Sequence, residues 1–343
     1  MLTLPNVLSG LTLLRRVPLV LAAAFAIAVF PAHAQAQGSA PLRKVRLAVI
    51  TTGSTAAILA GVKKGFFEKH GFDVEVKTVA TGVQATQALA ADQVDWSETG
   101  LEATIVSWAA GLPFTAYSMY AKGGDSFGLV VRRSSGIKTL ADLKGKRVAV
   151  TQGTSFAQGL TQMLLSVGLE PNSVQRVNAT ISGMGPMLVA GSVDAMVTSE
   201  PFVTLTMEQM GDEAVLLTRL GKYVQGGGFF LISNKWAGAN KEKVTDVVQA
   251  LWEAQQFARK NQAELVKMEA EFLKIEPRVV EIGFRHLRFD PIVDDFTLQA
   301  IDRSIEFLFK EGLIPKKVTT QEYLQEYRRI SSDLQKRRPD LLQ

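Results

Sequence analysis

Residues 147–201 constrain the fold of this 343-residue chain more than any other stretch. They open RVAVTQGTSFAQGLTQMLLSVGL and close GSVDAMVTSEP. Arg147, Val148, Ala149 and Val150 read as a short strand covered on both faces, followed by a turn centred on Gly153 and a helix from Ser155. Gly153 lets the backbone turn sharply, and Thr154 and Ser155 are N-cap types. Such a turn leaves free N–H groups at the helix start. With the positive end of the helix dipole they suit an anion. A later strand, residues 194–197, ends in Thr198, Ser199, Glu200 and Pro201. Pro201 suits a first helical turn. Glu200 is therefore expected at a strand's carboxyl end, where open α/β sheets bind ligands.

The layout occurs twice. Residues 45–61 (VRLAVITTGSTAAILAG) read as strand, Thr-Gly-Ser-Thr turn and helix, and ADQVDWSETG parallels GSVDAMVTSEP, each with Val-Asp, hydroxyls and a Glu (Glu98, Glu200). Two lobes of like construction predict a two-jawed binder of a small molecule. An accidental likeness between two unrelated α/β domains is the competing reading.

Between these anchors, strands alternate with helices. Residues 61–69 continue a helix that Gly71 ends, and 73–79 alternate as a strand. Thr81-Gly82 is a turn before the helix 84–91. Then come a strand at 94–97, a helix at 101–110 and a strand at 114–120. This alternation predicts a mostly parallel sheet. Residues 121–126 (AKGGDS) are a candidate crossing to a second lobe, and 226–233 (GGGFFLIS) a return crossing whose glycines suit a hinge or a plain loop. The second lobe holds a helix-like 140–143, the organising strand and helix, a strand at 174–177, a helix at 183–190, the Val-Asp strand, a helix at 201–210 and a strand at 214–217. The remainder reads as helices at 241–261, 262–273, 277–284, 296–311 and 320–334, packed as cover on the first lobe. The tail KRRPDLLQ is expected to fray.

The N-terminus reads as a targeting segment. Arg15 and Arg16 precede an apolar run of 14 residues, 17–30, and Ala32-His33-Ala34 follows with a small-x-small pattern. The run falls short of the roughly 20 residues of a spanning helix. A secretory signal peptide over 1–34 is expected, cut after Ala34 or Ala36; an uncleaved anchor is the alternative. The chain has no Cys, hence no lipid-anchored Cys, disulfide or thiol nucleophile. Its formal charge of +5 includes both arginines of 1–34, which holds no acidic residue, so the mature chain is only mildly basic. No basic stripe is interleaved with aromatics, and nucleic acid is not expected. Beyond residue 34 the histidines are His70, at a helix end where a cation suits the dipole, and His286, read on a helix surface. Neither has a second His or a Cys nearby, so no metal site is expected. No base is placed beside the many hydroxyls, and there is no P-loop or dinucleotide fingerprint. Glu98 and Glu200 could pair as carboxylates, but a hydrogen-bonding or structural role fits them better than catalysis.

Taken together, KKGFFEKHGFDVEV, TGVQATQALAADQVDWSETG, AAGLPF, IKTLADLKGKRVAVTQGTSFAQGLTQMLLSVGL and GSVDAMVTSEPF resemble the extracytoplasmic solute-binding proteins of nitrate/sulfonate/taurine ABC importers. The resemblance covers residues 43–313. It implies a type II periplasmic binding protein fold: two α/β lobes with a ligand cleft between them, and C-terminal helices packed on lobe one. Lobe one would comprise 43–122 and 228–334, and lobe two 129–222. It implies a periplasmic, non-enzymatic monomer that closes on a small organic or inorganic anion (a sulfonate, nitrate, taurine or related solute) and delivers it to a permease and its ATPase. Thiamine-pyrimidine precursors and aromatic acids are bound by some relatives. No cofactor is implied. A sensing subunit that presents ligand to a receptor, and a secreted enzyme on the same fold, remain alternatives. Where the family often has an aromatic residue and Asp before the Pro, this chain has Ser199-Glu200, so Glu200 would meet a cationic or hydroxyl group.

The candidate ligand contacts are Gly53, Ser54, Thr55, Thr81, Gly82, Glu98, Thr99 and Gly100 from lobe one. From lobe two they are Thr151, Gly153, Thr154, Ser155 and Glu200. Tyr120 and Phe156 would supply a flat apolar wall.

Overall fold

Val45, Leu47 and Val49 pack on one side of a strand and Ala48 on the other, and all four are buried. Alternate side chains point to opposite faces of a strand, so this strand is covered on both. The computed structural model describes residues 41–343. The expected signal peptide, 1–34, lies outside the described residues.

The strands are β1 (Arg43–Ile50), β2 (Phe72–Val79), β3 (Trp96–Gly100), β4 (Phe114–Ala121), β5 (Phe127–Arg132), β6 (Arg147–Val150), β7 (Gln175–Asn178), β8 (Ala195–Ser199), β9 (Ala214–Arg219) and β10 (Gly228–Ser233). They form two five-stranded sheets, in the orders β2-β1-β3-β10-β4 and β7-β6-β8-β5-β9. β1 runs parallel to β2 and β3, while β10 runs antiparallel between β3 and β4. The second sheet repeats the pattern, with β5 antiparallel between β8 and β9. The expectation of a mostly parallel sheet therefore needs one correction per sheet. β5 and β10 are the strands that follow the crossings. A chain entering a sheet from the side where its neighbours end must run against them.

The parity of β10 shows how the first sheet is covered. Phe230 and Ile232 join Trp96 and the helices Ala56–Lys63 and Val244–Lys260 in one core. Phe229 and Leu231 join the helices Leu101–Ala109 and Asp295–Lys310 in the other. The C-terminal helices thus pack on lobe one. The second sheet has its own core, built around Val148, Val150, Leu160, Met196 and Val197.

Several bounds differ from the sequence expectations. β3 starts two residues late and runs to Gly100, which puts Glu98 and Thr99 inside the sheet. The helix expected over 241–261 opens with a 3-10 turn, Lys241–Lys243, and that over 320–334 divides at Leu324. The tail does not fray. Leu341 is buried, Arg259 reaches its carbonyl, and Arg338 bonds Asp340 at 2.8 Å and Glu253 at 3.1 Å.

The crossings lie backbone against backbone. Gly227 has φ +94, and a Cβ there would stand 2.1 Å from the Ala121 carbonyl oxygen. Conformation and space together exclude a side chain. The next residue along the first crossing, Lys122, is fully buried, and its ammonium meets Asp290 at 2.9 Å and Asp294 at 3.2 Å. His286 lies on the turn after the helix Pro277–Phe284 rather than on a helix surface. His70 Nε2 stands 3.3 Å from Glu253 Oε2.

Candidate functional site

Parallel strands end on one side of a sheet, and the helices that follow begin there. In this fold those ends face each other across a cleft of about 750 Å³, solvent at its mouth included. Its lining draws on both sheets. The 9-residue helix Gly82–Ala90 starts at it, with Thr81 as N-cap accepting from Gln84 N at 3.2 Å. The 11-residue helix Ser155–Leu165 starts opposite, with Thr154 as N-cap. Gly100, N-cap of the helix Leu101–Ala109, completes the set. Three helix N-termini direct N–H groups and positive dipole ends at one space.

Eleven of the fifteen expected contacts line this cleft: Ser54, Thr81, Gly82, Thr99, Gly100, Tyr120, Thr151, Thr154, Ser155, Phe156 and Glu200. Four do not. Gly53 packs beneath Phe284 and Leu287. Thr55 is buried and donates its hydroxyl to the Thr52 carbonyl at 2.6 Å. Gly153 makes the turn, at φ +69 with open space around it. Glu98 lies behind the lining, fully buried, and accepts from Ile50 N at 2.6 Å. Burial pushes its carboxyl up to about 7, against the pull of the Ile50 N–H and the Tyr120 hydroxyl. The Tyr120 hydroxyl is itself pushed well up by burial and by the charge of Glu98.

Glu200 needs a correction of role. Its Oε1 accepts from Arg219 Nη2 at 2.7 Å and its Oε2 from Thr204 N at 3.1 Å. The carboxylate is engaged within its own lobe and is not held ready for a ligand cation.

The lining also includes residues that the sequence reading missed: Ile50, Thr52, Glu102, Ala103, Ser126, Phe127, Ile181, Ser199, Gly227 and Leu287. Two of them bear on chemistry. Glu102, buried in the first turn of its helix, accepts from Ser155 Oγ across the cleft and from Ser304 Oγ at 2.8 Å. Burial raises its carboxyl above the usual range, and these two hydroxyls oppose the rise. Ser199 Oγ, like Thr99 Oγ1, is buried at the cleft without a hydrogen-bond partner. Thr99 depends on Gly82, where a Cβ would stand 1.9 Å from Thr99 Oγ1. Phe127 and Phe156 meet edge to face, with ring centroids 4.7 Å apart. Among the described residues no Lys, Arg or His lines the cleft. Among the described residues no group of three His, Asp or Glu side chains is placed to hold a metal ion.

This arrangement can bind. Buried hydroxyls without partners and helix N-termini take an acceptor group, and the aromatic pair takes an apolar body.

Residues 53–265 match the family model described as NMT1/THI5 like. Over 286 residues the chain is 25% identical to a putative aliphatic sulfonates-binding protein of Bacillus subtilis (strain 168), covering 82% of this chain and 85% of that one. Among solved structures, it superposes on the alkanesulfonate-binding protein SsuA from Xanthomonas axonopodis pv. citri, bound to MOPS, with a TM-score of 0.73. That match has 23% identity and covers 83% of this chain and 99% of the other. The periplasmic nitrate-binding protein NrtA from Synechocystis PCC 6803 gives a TM-score of 0.70 at 14% identity, covering 88% and 91%. The fold is that of the two-lobed periplasmic binding proteins, and these relatives are binding proteins rather than enzymes.

Proposed function

Because the chain belongs to the NMT1/THI5-like family, we propose that it is the extracytoplasmic solute-binding subunit of an ABC importer. It captures a small anion, a sulfonate in the first place, by closure of its lobes and delivers it to a permease and its ATPase. Lobe one comprises residues 43–122 and 228–334, and lobe two 129–222. The protein acts as a monomer, exported through the signal peptide at 1–34. No described helix is long and apolar enough to cross a membrane.

The observation that carries this reading is the convergence of three helix N-termini and two unpartnered hydroxyls, Thr99 Oγ1 and Ser199 Oγ, on one cleft between the sheets. An oxyanion held by N–H groups and hydroxyls needs no lysine or arginine. The names of the sulfonate- and nitrate-binding relatives support the same ligand chemistry. Of the expected contacts, the ten besides Glu200 that line the cleft are the proposed ligand residues, with Ser199 added to them.

A thermal-shift screen tests it, using nitrate, alkanesulfonates, taurine, pyrimidines and aromatic acids. A ligand at a hundred times its dissociation constant adds about 2.7 kcal/mol of stability. A sulfonate that raises the melting temperature supports the reading. A screen in which no anion stabilises the protein refutes it.

A further inference from the structure

Glu102 holds a place in the cleft that an oxyanion alone leaves unused. It lines the cleft at 2% exposure, bonded by Ser155 Oγ and Ser304 Oγ. Each carboxylate oxygen has two acceptor positions, and two hydroxyls with the residue's own N–H do not fill all four. Glu200, the other carboxylate in the lining, is answered by Arg219. Glu102 has no such answer: among the described residues no Lys, Arg or His forms an ion pair with it, and only two hydroxyls and its own backbone N–H oppose the upward push of burial on its carboxyl.

A buried ionised carboxyl without a counter-charge is strongly disfavoured. A compact inorganic oxyanion placed beside it adds a second negative charge and makes matters worse. A ligand that brings its own N–H donor removes the mismatch. The lining has room for such a molecule: Tyr120, Phe127 and Phe156 offer an apolar wall, and the buried hydroxyls of Thr99 and Ser199 offer donors to an acceptor group at its other end.

We propose that the cleft takes a small organic solute with two unlike ends, an amine-type N–H donor on Glu102 and an oxyanion or other acceptor on the hydroxyls and helix N-termini, with an apolar body between them. Glu102 is then the residue that selects against bare inorganic oxyanions. This inference rests on the solute-binding reading of the cleft and adds the donor end.

Calorimetry at neutral pH with three probes tests it: benzenesulfonate, para-aminomethylbenzenesulfonate and nitrate. The aminomethyl compound is expected to bind the wild type about tenfold or more tighter than benzenesulfonate, the size of one hydrogen bond to a charged group. Nitrate is expected to bind more weakly than either. Glu102→Gln, which keeps the shape and removes the charge, should bring the ratio of the two sulfonates close to one. Equal affinity for both in the wild type overturns the inference, as does an unchanged ratio in a folded Glu102→Gln. If that variant does not fold, the wild-type ratio decides alone. Should benzenesulfonate and nitrate bind with no gain from the amine, the role of Glu102 falls and the solute-binding reading stands. Should none of the three bind, both fall.

Discussion

Ser155 of one lobe donates a hydrogen bond to the carboxylate of Glu102 in the other. Ser304 Oγ, bonded to the second oxygen of that carboxylate, lies 3.1 Å from Gln158 Oε1, again across the lobes. The back of the cleft is therefore a polar bridge, and the groups that form it are also groups that a ligand would meet.

Ser155→Ala removes the hydroxyl proton that Ser155 gives to Glu102 and would give to a ligand oxyanion in its place. Affinity for the solute returned by the thermal-shift screen should fall about tenfold, the worth of one hydrogen bond to a charged partner. Stability should fall by about 1–3 kcal/mol, because the buried Glu102 carboxylate loses one of its two hydroxyl donors. Calorimetry and urea melts measure the two effects separately. Unchanged affinity would remove Ser155 from the site.

Glu200→Ala acts on the fold first. It strands Arg219, half-buried beside it, and the Thr204 N–H. Removing one partner of a buried pair is expected to cost about 3 kcal/mol, read as a shift of the urea midpoint. A variant as stable as the wild type would show that the pair contributes nothing.

Glu98 makes stability depend on pH. Its carboxyl is pushed up to about 7 by burial, above its unfolded value. The folded state therefore holds its proton at pH values where the unfolded chain has lost it. Stability from this group is fully present below about pH 4.5 and is lost as pH rises to about 7, by about 3 kcal/mol in all. Urea midpoints of Glu98→Gln at pH 5 and pH 8 should differ less than those of the wild type. Equal pH dependence in the two proteins would mean that Glu98 titrates normally.

Gly82 and Thr99 form a testable couple. A Cβ at Gly82 would meet Thr99 Oγ1 at 1.9 Å and Thr99 Cβ at 3.2 Å. Gly82→Ala should destabilise by about 1–3 kcal/mol, as overpacking does. Thr99→Ala should relieve much of this in the double variant, giving a coupling energy beyond the usual additivity error of about 0.5 kcal/mol. Strict additivity would show that the strain is taken up elsewhere.

Much of the fold is legible in the sequence because strands buried on both faces announce themselves as apolar runs between turn residues. The direction of β10 is not, since FFLIS carries no sign of which way its neighbours run. Hydroxyls beside turn glycines, such as Thr81, Thr154 and Ser155, are visible as helix starts. Glu102 is not, because an acid in a first helical turn reads as a partner of the dipole. Phe127, Ile181 and Leu287 reach the cleft from segments far apart in the chain, and no local pattern marks them. Glu200 was visible by position, but its partner Arg219 comes from another strand, and only packing could reveal that the carboxylate is taken. The tail misled for a similar reason: its charges find Glu253 and Asp340 only in the folded chain.

The placement of β10 between β3 and β4 governs the order in which the chain can be completed during synthesis. β4 touches its sheet only through β10, so the sheet of lobe one stays open until residues 228–233 are in place. Lobe two, whose strands are contiguous in the chain, can close first. A nascent chain released before that point carries an unfinished sheet with two exposed edges at β3 and β4. The sheet of lobe one is thus complete only when β10, which follows all of the strands of lobe two in the chain, is in place.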